Sequence, residues 1–161
     1  MPPRSSTVNA GGAAAAFGGS KRSSTGGDGA ATVSLKVVLR VRPFNSTEKA
    51  MQSRQAVNFV NDKTIKVQQL QAGATEATED GTTTTSPFVF DKVFDMNSTQ
   101  EEVYRDSVED IVRGVLAGFN GTVFAYGQSG SGKTHTMGGV LKDPEHMGVM
   151  PRMIQTLFTG V

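Results

Sequence analysis

The stretch "FAYGQSGSGKTHTM", residues 124–137, runs from strand-like apolar residues straight into a glycine-rich loop that ends in Lys-Thr. Gly127, Gly132, Lys133 and Thr134 fit the pattern G-x-x-x-x-G-K-[ST] without a gap, and a strand before it with a helix start behind it is the context that pattern requires. The chemistry follows from the residue types. Glycines let the backbone curl so that successive amide hydrogens point inward, and a helix starting near Gly132 adds its free N–H groups and the positive end of its dipole. Such a concavity suits a polyphosphate, cradled by Gly127, Gln128, Ser129, Gly130, Ser131 and Gly132. Lys133 supplies a mobile positive charge for the outer phosphates, and the Thr134 hydroxyl is the candidate Mg²⁺ ligand, because magnesium prefers oxygen donors shared with phosphates. The loop therefore predicts a nucleotide's phosphates together with Mg²⁺, but does not by itself separate kinases, GTPases, transport ATPases and motors, so ATP as the nucleotide waits on further residues.

Outward from the loop, an α/β order is expected. "TVFAY" (122–126) is apolar at nearly every position, as in a central parallel strand covered on both faces. Before it, Tyr104, Val108, Ile111, Val112, Val115, Leu116 and Phe119 recur at helical spacing and predict one long helix with one buried stripe. Ser98 caps that helix with Glu101 reaching back, and Gly118 or Gly121 closes it. Further upstream, "VSLKVVLRV" (33–41) alternates with period two, placing Val33, Leu35, Val37, Leu39 and Val41 on one strand face, and Pro43 ends the strand. "AVNFV" (56–60) and "TIKVQ" (64–68) predict a hairpin around Asn61-Asp62. Residues 71–86 read as a solvent loop and "PFVFDKVF" (87–94) as a return to strand. Beyond a second loop over 138–148, Pro151 suits the first turn of a helix whose Ile154, Leu157 and Phe158 share a face.

Composition limits the remaining possibilities. The chain has 161 residues, sixteen basic against fifteen acidic side chains and a net charge of +1, so no strong field points to nucleic acid or to an acidic membrane. With no cysteine, neither a disulfide scaffold nor a thiolate metal site is possible. Every apolar run is far shorter than the roughly 20 residues that cross a bilayer. Residues 1–31 are mostly Gly, Ala, Ser and Thr with little to bury, and a disordered, solvated leader is expected there; an organelle transit peptide is the other reading of the first 27, which hold Arg4, Lys21 and Arg22 and no acid.

Three stretches decide among the P-loop classes. "LRVRPFN" (39–45), the long run "STQEEVYRDSVEDIVRGVLAGFNGTVFAYGQSGSGKTHTM" and "GVMPRMIQTLF" (148–158) together resemble the kinesin motor domain, closest in wording to conventional transport-type kinesins. The resemblance runs from Val33 to the end of the sequence. It implies an α/β P-loop NTPase of kinesin-motor type: the N-terminal part of a mixed central sheet with flanking helices, an incomplete domain spanning 32–161. It implies that Arg40 and Pro43 flank an adenine together with His135, with Arg42 nearby, and a guanidinium plane, a pyrrolidine and an imidazole can all stack on a purine. It implies a microtubule partner engaged through regions beyond residue 161, a location in the cytoplasm on the cytoskeleton, and an ATPase as the complete protein. A nucleotide-binding but non-motile tethering module remains the alternative, with an unrelated P-loop kinase more distant.

The family's serine- and arginine-rich first switch and its D-x-x-G second switch do not occur in these residues. No catalytic residue is therefore assigned here, and efficient hydrolysis by this stretch alone is not expected. In the family's sheets a strand from the other half lies between the first strand and the phosphate-loop strand. Exposed strand edges and marginal independent folding are therefore expected, and a sharp cooperative melt of the isolated piece would count against that.

Overall fold

The computed structural model describes residues 12–20, 34–70 and 83–159. Its main sheet has four strands in the order β6-β2-β1-β7, where β1 is Gly12–Ser20, β2 Ser34–Val41, β6 Lys92–Phe94 and β7 Asn120–Tyr126. A smaller antiparallel sheet holds β3 (Val57–Phe59), β4 (Thr64–Leu70) and β5 (Thr83–Val89). The helices are α1 (Ser46–Ala50), α2 (Gln100–Ser107), α3 (Glu109–Leu116), α4 (Lys133–Met137) and α5 (Val149–Thr159). None of the described helices is long and apolar enough to cross a membrane.

β2 is the hinge of the architecture because both of its faces are used. Val38 packs with Phe94, Val103, Tyr104, Val108, Val112 and Val149 under the helices. Leu39 and Val41 point the other way, into a second cluster with Val57, Ile65 and Val93 against the small sheet. The expected single apolar face is thus corrected: Leu35 is exposed and Val38, an expected outward residue, is 1% exposed. Burying a valine contributes about 1.5–2 kcal/mol, so the valines at 38, 108, 112 and 149 make the helical cluster the main anchor of the fold.

The hairpin forms as expected, with Val57 opposite Val67 and the Asn61 side chain accepting from the Lys63 amide at 2.9 Å. The expected solvent loop over 71–86 lies outside the described residues as far as 82, and its last part differs. Thr83 to Ser86 belong to β5, where β-branched threonines pair along β4 from Leu70 to Val67.

The expected long helix is two helices, breaking at Val108, where φ widens to −119° with ψ at −31°, still in the right-handed region, while its side chain stays fully buried. Its cap is shifted by one residue. "STQEE" carries the S/T-x-x-E pattern in two registers, and Thr99 with Glu102 wins: the Thr99 hydroxyl accepts from the Glu102 amide at 3.1 Å and the Glu102 carboxylate from the Thr99 amide at 2.8 Å. Ser98 instead donates to Asp95 at 3.0 Å. At the far end Gly118, at φ 89°, closes α3 as expected, its amide reaching Val115 and that of Phe119 reaching Gly114.

Three expected apolar faces are narrower than their patterns. Val115 and Leu116 are exposed, so the buried stripe ends at Val112 with Ile111 half-buried beside it. β7 is covered on one face only: Val123 packs on the helical cluster while Phe124 and Tyr126 stand 49% and 74% exposed. α5 turns Val149, Met153 and Leu157 inward and hydrogen-bonds Thr156 to the Tyr104 hydroxyl at 2.6 Å, leaving Ile154 and Phe158 outside. The spacing of 149, 153 and 157 wins over 154 and 158 because Val149 is fixed by the close approach of Gly148 to Met137.

β1 is the largest difference. Residues 12–20 were expected within a disordered leader and the facing edges of β2 and β7 were expected open; instead β1 runs antiparallel to both, with Ala14 opposite Leu39 on one side and Tyr126 on the other. Backbone pairing explains how a segment with little to bury is ordered: two strand edges present unpaired N–H and C=O groups, and any extended backbone satisfies them.

Candidate functional site

β7 delivers the chain at the edge of the glycine loop and α4 carries it away. Gly130 and Gly132 have φ of 79° and 99°, values that glycine adopts without strain, and they curl the loop between strand and helix. The Lys133 side chain turns back into that curl, its ammonium donating to the carbonyls of Gly127 at 2.7 Å and Gln128 at 2.8 Å. No carboxylate pairs with it among the described residues. The result is a positive charge held by two weak dipoles, poised for a stronger anion. Ser131, within the same loop, is 2% exposed and its hydroxyl has no hydrogen-bond partner, a buried polar group with unmet capacity. Thr134 stands exposed in the first turn of α4.

The loop is tied to the end of β2 by Arg42. Its Nε donates to the Gly130 carbonyl at 2.9 Å, and its two terminal nitrogens form a two-pronged pair with Glu48. That hydrogen-bonded carboxylate raises the Arg42 pKa against the opposing effect of burial. Glu48 is itself fixed, accepting from the Asn45 amide at 2.9 Å while the Asn45 side chain accepts from the Glu48 amide at 2.8 Å, the capping box of α1. Arg42 is thereby a strut of the loop. The helix α1 was missed from sequence, although N-x-x-E at 45–48 is a capping signal that could have found it.

Arg40 lies deeper. Its guanidinium donates to Gln100 Oε1 at 2.6 Å, to Thr136 Oγ1 at 3.1 Å and to the Ser98 carbonyl at 3.1 Å, and burial lowers its pKa. Gln100, 3% exposed, then donates to the carbonyls of His135 at 2.7 Å and His146 at 3.3 Å. Gln100 and Thr136 carried no motif and were not foreseen. His135 remains exposed, and partial burial, then the Arg40 charge and then His146, lower its pKa, favouring the neutral imidazole. Beyond α4 the chain closes on itself, with Gly139 bridging Met147 and the Gly148 amide donating to the Gly138 carbonyl at 3.1 Å.

These elements enclose an open pocket of about 380 Å³ lined by Arg40, Arg42, Pro43, Phe44, Met96, Gly130, Ser131, Gly132, His135 and Thr136 among others. The strand end and the loop foreseen separately in the sequence are thus brought to one cavity, with arginine, proline and imidazole on its walls. Gly127, Gln128, Ser129, Lys133 and Thr134 lie outside that lining, along the loop and helix start.

Comparison with known proteins agrees with this geometry. A model of the kinesin motor domain matches residues 40–161. The chain is 40% identical over 131 residues to the kinesin-1 heavy chain of Rattus norvegicus and 42% identical over 131 residues to the kinesin heavy chain of Strongylocentrotus purpuratus, covering 81% of this chain in both cases. It spans only 12% and 11% of those proteins' own lengths. Among solved structures, that of a fast kinesin, described for its ATPase mechanism and its interactions with microtubules, superposes with a TM-score of 0.63 at 37% identity, covering 74% of this chain and 31% of that one. With the loop, its arginine struts and the matching residues all in place, the chain belongs to the kinesin motor domain family.

Proposed function

We propose that this chain binds Mg·ATP in the pocket between β2 and the 127–134 loop, and that the complete protein couples ATP hydrolysis to movement along microtubules. The observation that carries the reading is the Lys133 ammonium turned into a glycine curl with no carboxylate to neutralise it, beside the unpartnered buried Ser131 hydroxyl. A triphosphate would replace the two carbonyls as the lysine's partner and take up the loop's inward donors, while the Thr134 hydroxyl would share a Mg²⁺ with phosphate oxygens. When bound, that ion would neutralise charge on the outer phosphates. Arg40, Pro43 and His135 would border the base, with neutral His135 avoiding a second positive charge beside Arg40. The two switch motifs that position water and sense the outer phosphate in kinesins do not occur in these 161 residues, so hydrolysis is assigned to the complete motor rather than to this stretch.

The test is microtubule-stimulated ATP turnover by the full-length protein and by its Lys133→Ala variant. Stimulated turnover in the wild type with loss of nucleotide-dependent microtubule release in the variant supports the reading. Unchanged turnover in Lys133→Ala contradicts it.

A further inference from the structure

Segments far apart in the sequence meet at one buried amide. Gln100, in the first turn of α2, accepts from Arg40 on β2 and donates to the carbonyl of His135 on α4 and to that of His146 in the 138–148 loop, so both the oxygen and the nitrogen of a single small group are engaged. The side chain is nearly sealed, 3% exposed, which makes an unsatisfied donor or acceptor there costly and the arrangement correspondingly specific. Arg40 and His135 both line the pocket; Gln100 itself does not. The acceptors around the Arg40 guanidinium engage its N–H groups, which lie in the plane of the group, so they fix its orientation without consuming its flat faces.

The phosphate side is held differently. The contacts that seat Lys133 are to Gly127 and Gln128, and the loop is strutted by Arg42, itself gripped by Glu48; none of these passes through Gln100. The functional side chains of the two halves thus have separate hydrogen-bond partners, although α4 carries residues of both, Lys133 and Thr134 for one and His135 and Thr136 for the other. From this separation we infer that Gln100 is a positioning residue for the base-binding half of the site: it sets the Arg40 guanidinium and the His135 backbone relative to each other, and acts on the phosphate half only weakly. This rests on the nucleotide reading given above and deepens it.

The experiment titrates the full-length protein with two probes, Mg·ATP and Mg·tripolyphosphate, the second lacking base and ribose. Gln100→Ala is expected to weaken Mg·ATP by about tenfold, the equivalent of one well-placed polar contact, and to change Mg·tripolyphosphate by less than about twofold. Gln100→Glu keeps the acceptor for Arg40 and loses the donor to the two carbonyls, and is expected to restore part of the loss; should Gln100→Ala fail to fold, as judged by its melting curve, this variant carries the same two-probe comparison. Equal losses for both probes, or no loss for either, overturn the inference, because a merely structural role would move both together. A wild-type protein that binds neither probe overturns the functional reading itself, whereas one that binds tripolyphosphate as tightly as ATP overturns only the base-positioning role.

Discussion

The two halves of the pocket are built by opposite means. Along the 127–132 loop the shape lies in the backbone: positive φ at Gly130 and Gly132, one buried serine and a lysine resting on two carbonyls of its own loop. At the end of β2 the shape lies in side chains brought from far apart: Arg40 reaches across to Ser98, Gln100 and Thr136, and Gln100 reaches on to His135 and His146. A backbone device tolerates loss of its functional side chain without unfolding. A side-chain knot does not, because each member is another's hydrogen-bond partner.

That contrast is tested most strongly at Lys133. Lys133→Ala removes a charge that the fold does not depend on, so Mg·ATP affinity should fall by about a hundredfold, roughly the 3 kcal/mol of a strong charged contact, with the melting temperature unchanged. A fall in melting temperature comparable to that of a core substitution would show the lysine to be structural and break the comparison.

Arg40→Ala should do both kinds of damage. It strands Gln100 Oε1, Thr136 and the Ser98 carbonyl in partly buried surroundings, and is expected to cost about 2 kcal/mol of stability in denaturant titration together with about a tenfold loss in ATP affinity. Stability equal to wild type would place the arginine with Lys133, as a binding group only.

At Gly132 the two kinds of support can be separated by geometry alone. A β-carbon there meets nothing nearer than Arg42 Cδ at 3.7 Å, so space is not the obstacle; the φ of 99° is. Gly132→Ala should cost about 1–2 kcal/mol through backbone strain and weaken ATP binding as the curl opens. A neutral result would mean that the loop does not hold this conformation.

The smallest effect concerns His135. Its pKa is lowered in the folded protein, so as pH falls below the ordinary value of about 6.5 the unfolded chain takes up the proton first and stability declines. Wild type should therefore lose slightly more stability on acidification than His135→Asn, and that difference should vanish at pH 8. Parallel stability curves for the two proteins would show that burial and the Arg40 charge do not act on the imidazole.

The same contrast explains what was legible in the sequence. A glycine curl with Lys and Thr at its end is a local pattern, and so are the 57–67 hairpin and the Gly118 helix stop; each is decided by residues within a few positions. The Gln100 knot joins residues 40, 100, 135 and 146, and no local pattern marks a glutamine in a first helical turn as the meeting point of three elements. The arginines were foreseen at the site only through family resemblance, and the structure separates their parts: Arg42 braces the loop against Glu48 while Arg40 is locked in the knot. The cap of α2 was misread by one residue because Ser98–Glu101 and Thr99–Glu102 satisfy the same rule, and only the Ser98 contact with Asp95 breaks the tie. The apolar faces of α3, β7 and α5 were overestimated because periodicity shows which residues can face a core but not how far a core extends. The pairing of β1 was beyond any pattern, since its glycines and alanines carry no strand signal and the neighbouring strand edges supply the reason for it.

The central claim is that the 127–134 loop receives a triphosphate, and calorimetric titration of the full-length wild type with Mg·ATP, alongside Lys133→Ala, addresses it directly. The account predicts a saturable heat for the wild type that is largely lost in a variant of unchanged melting temperature. The absence of any heat from a folded wild-type protein, or an identical heat from the lysine variant, would contradict it.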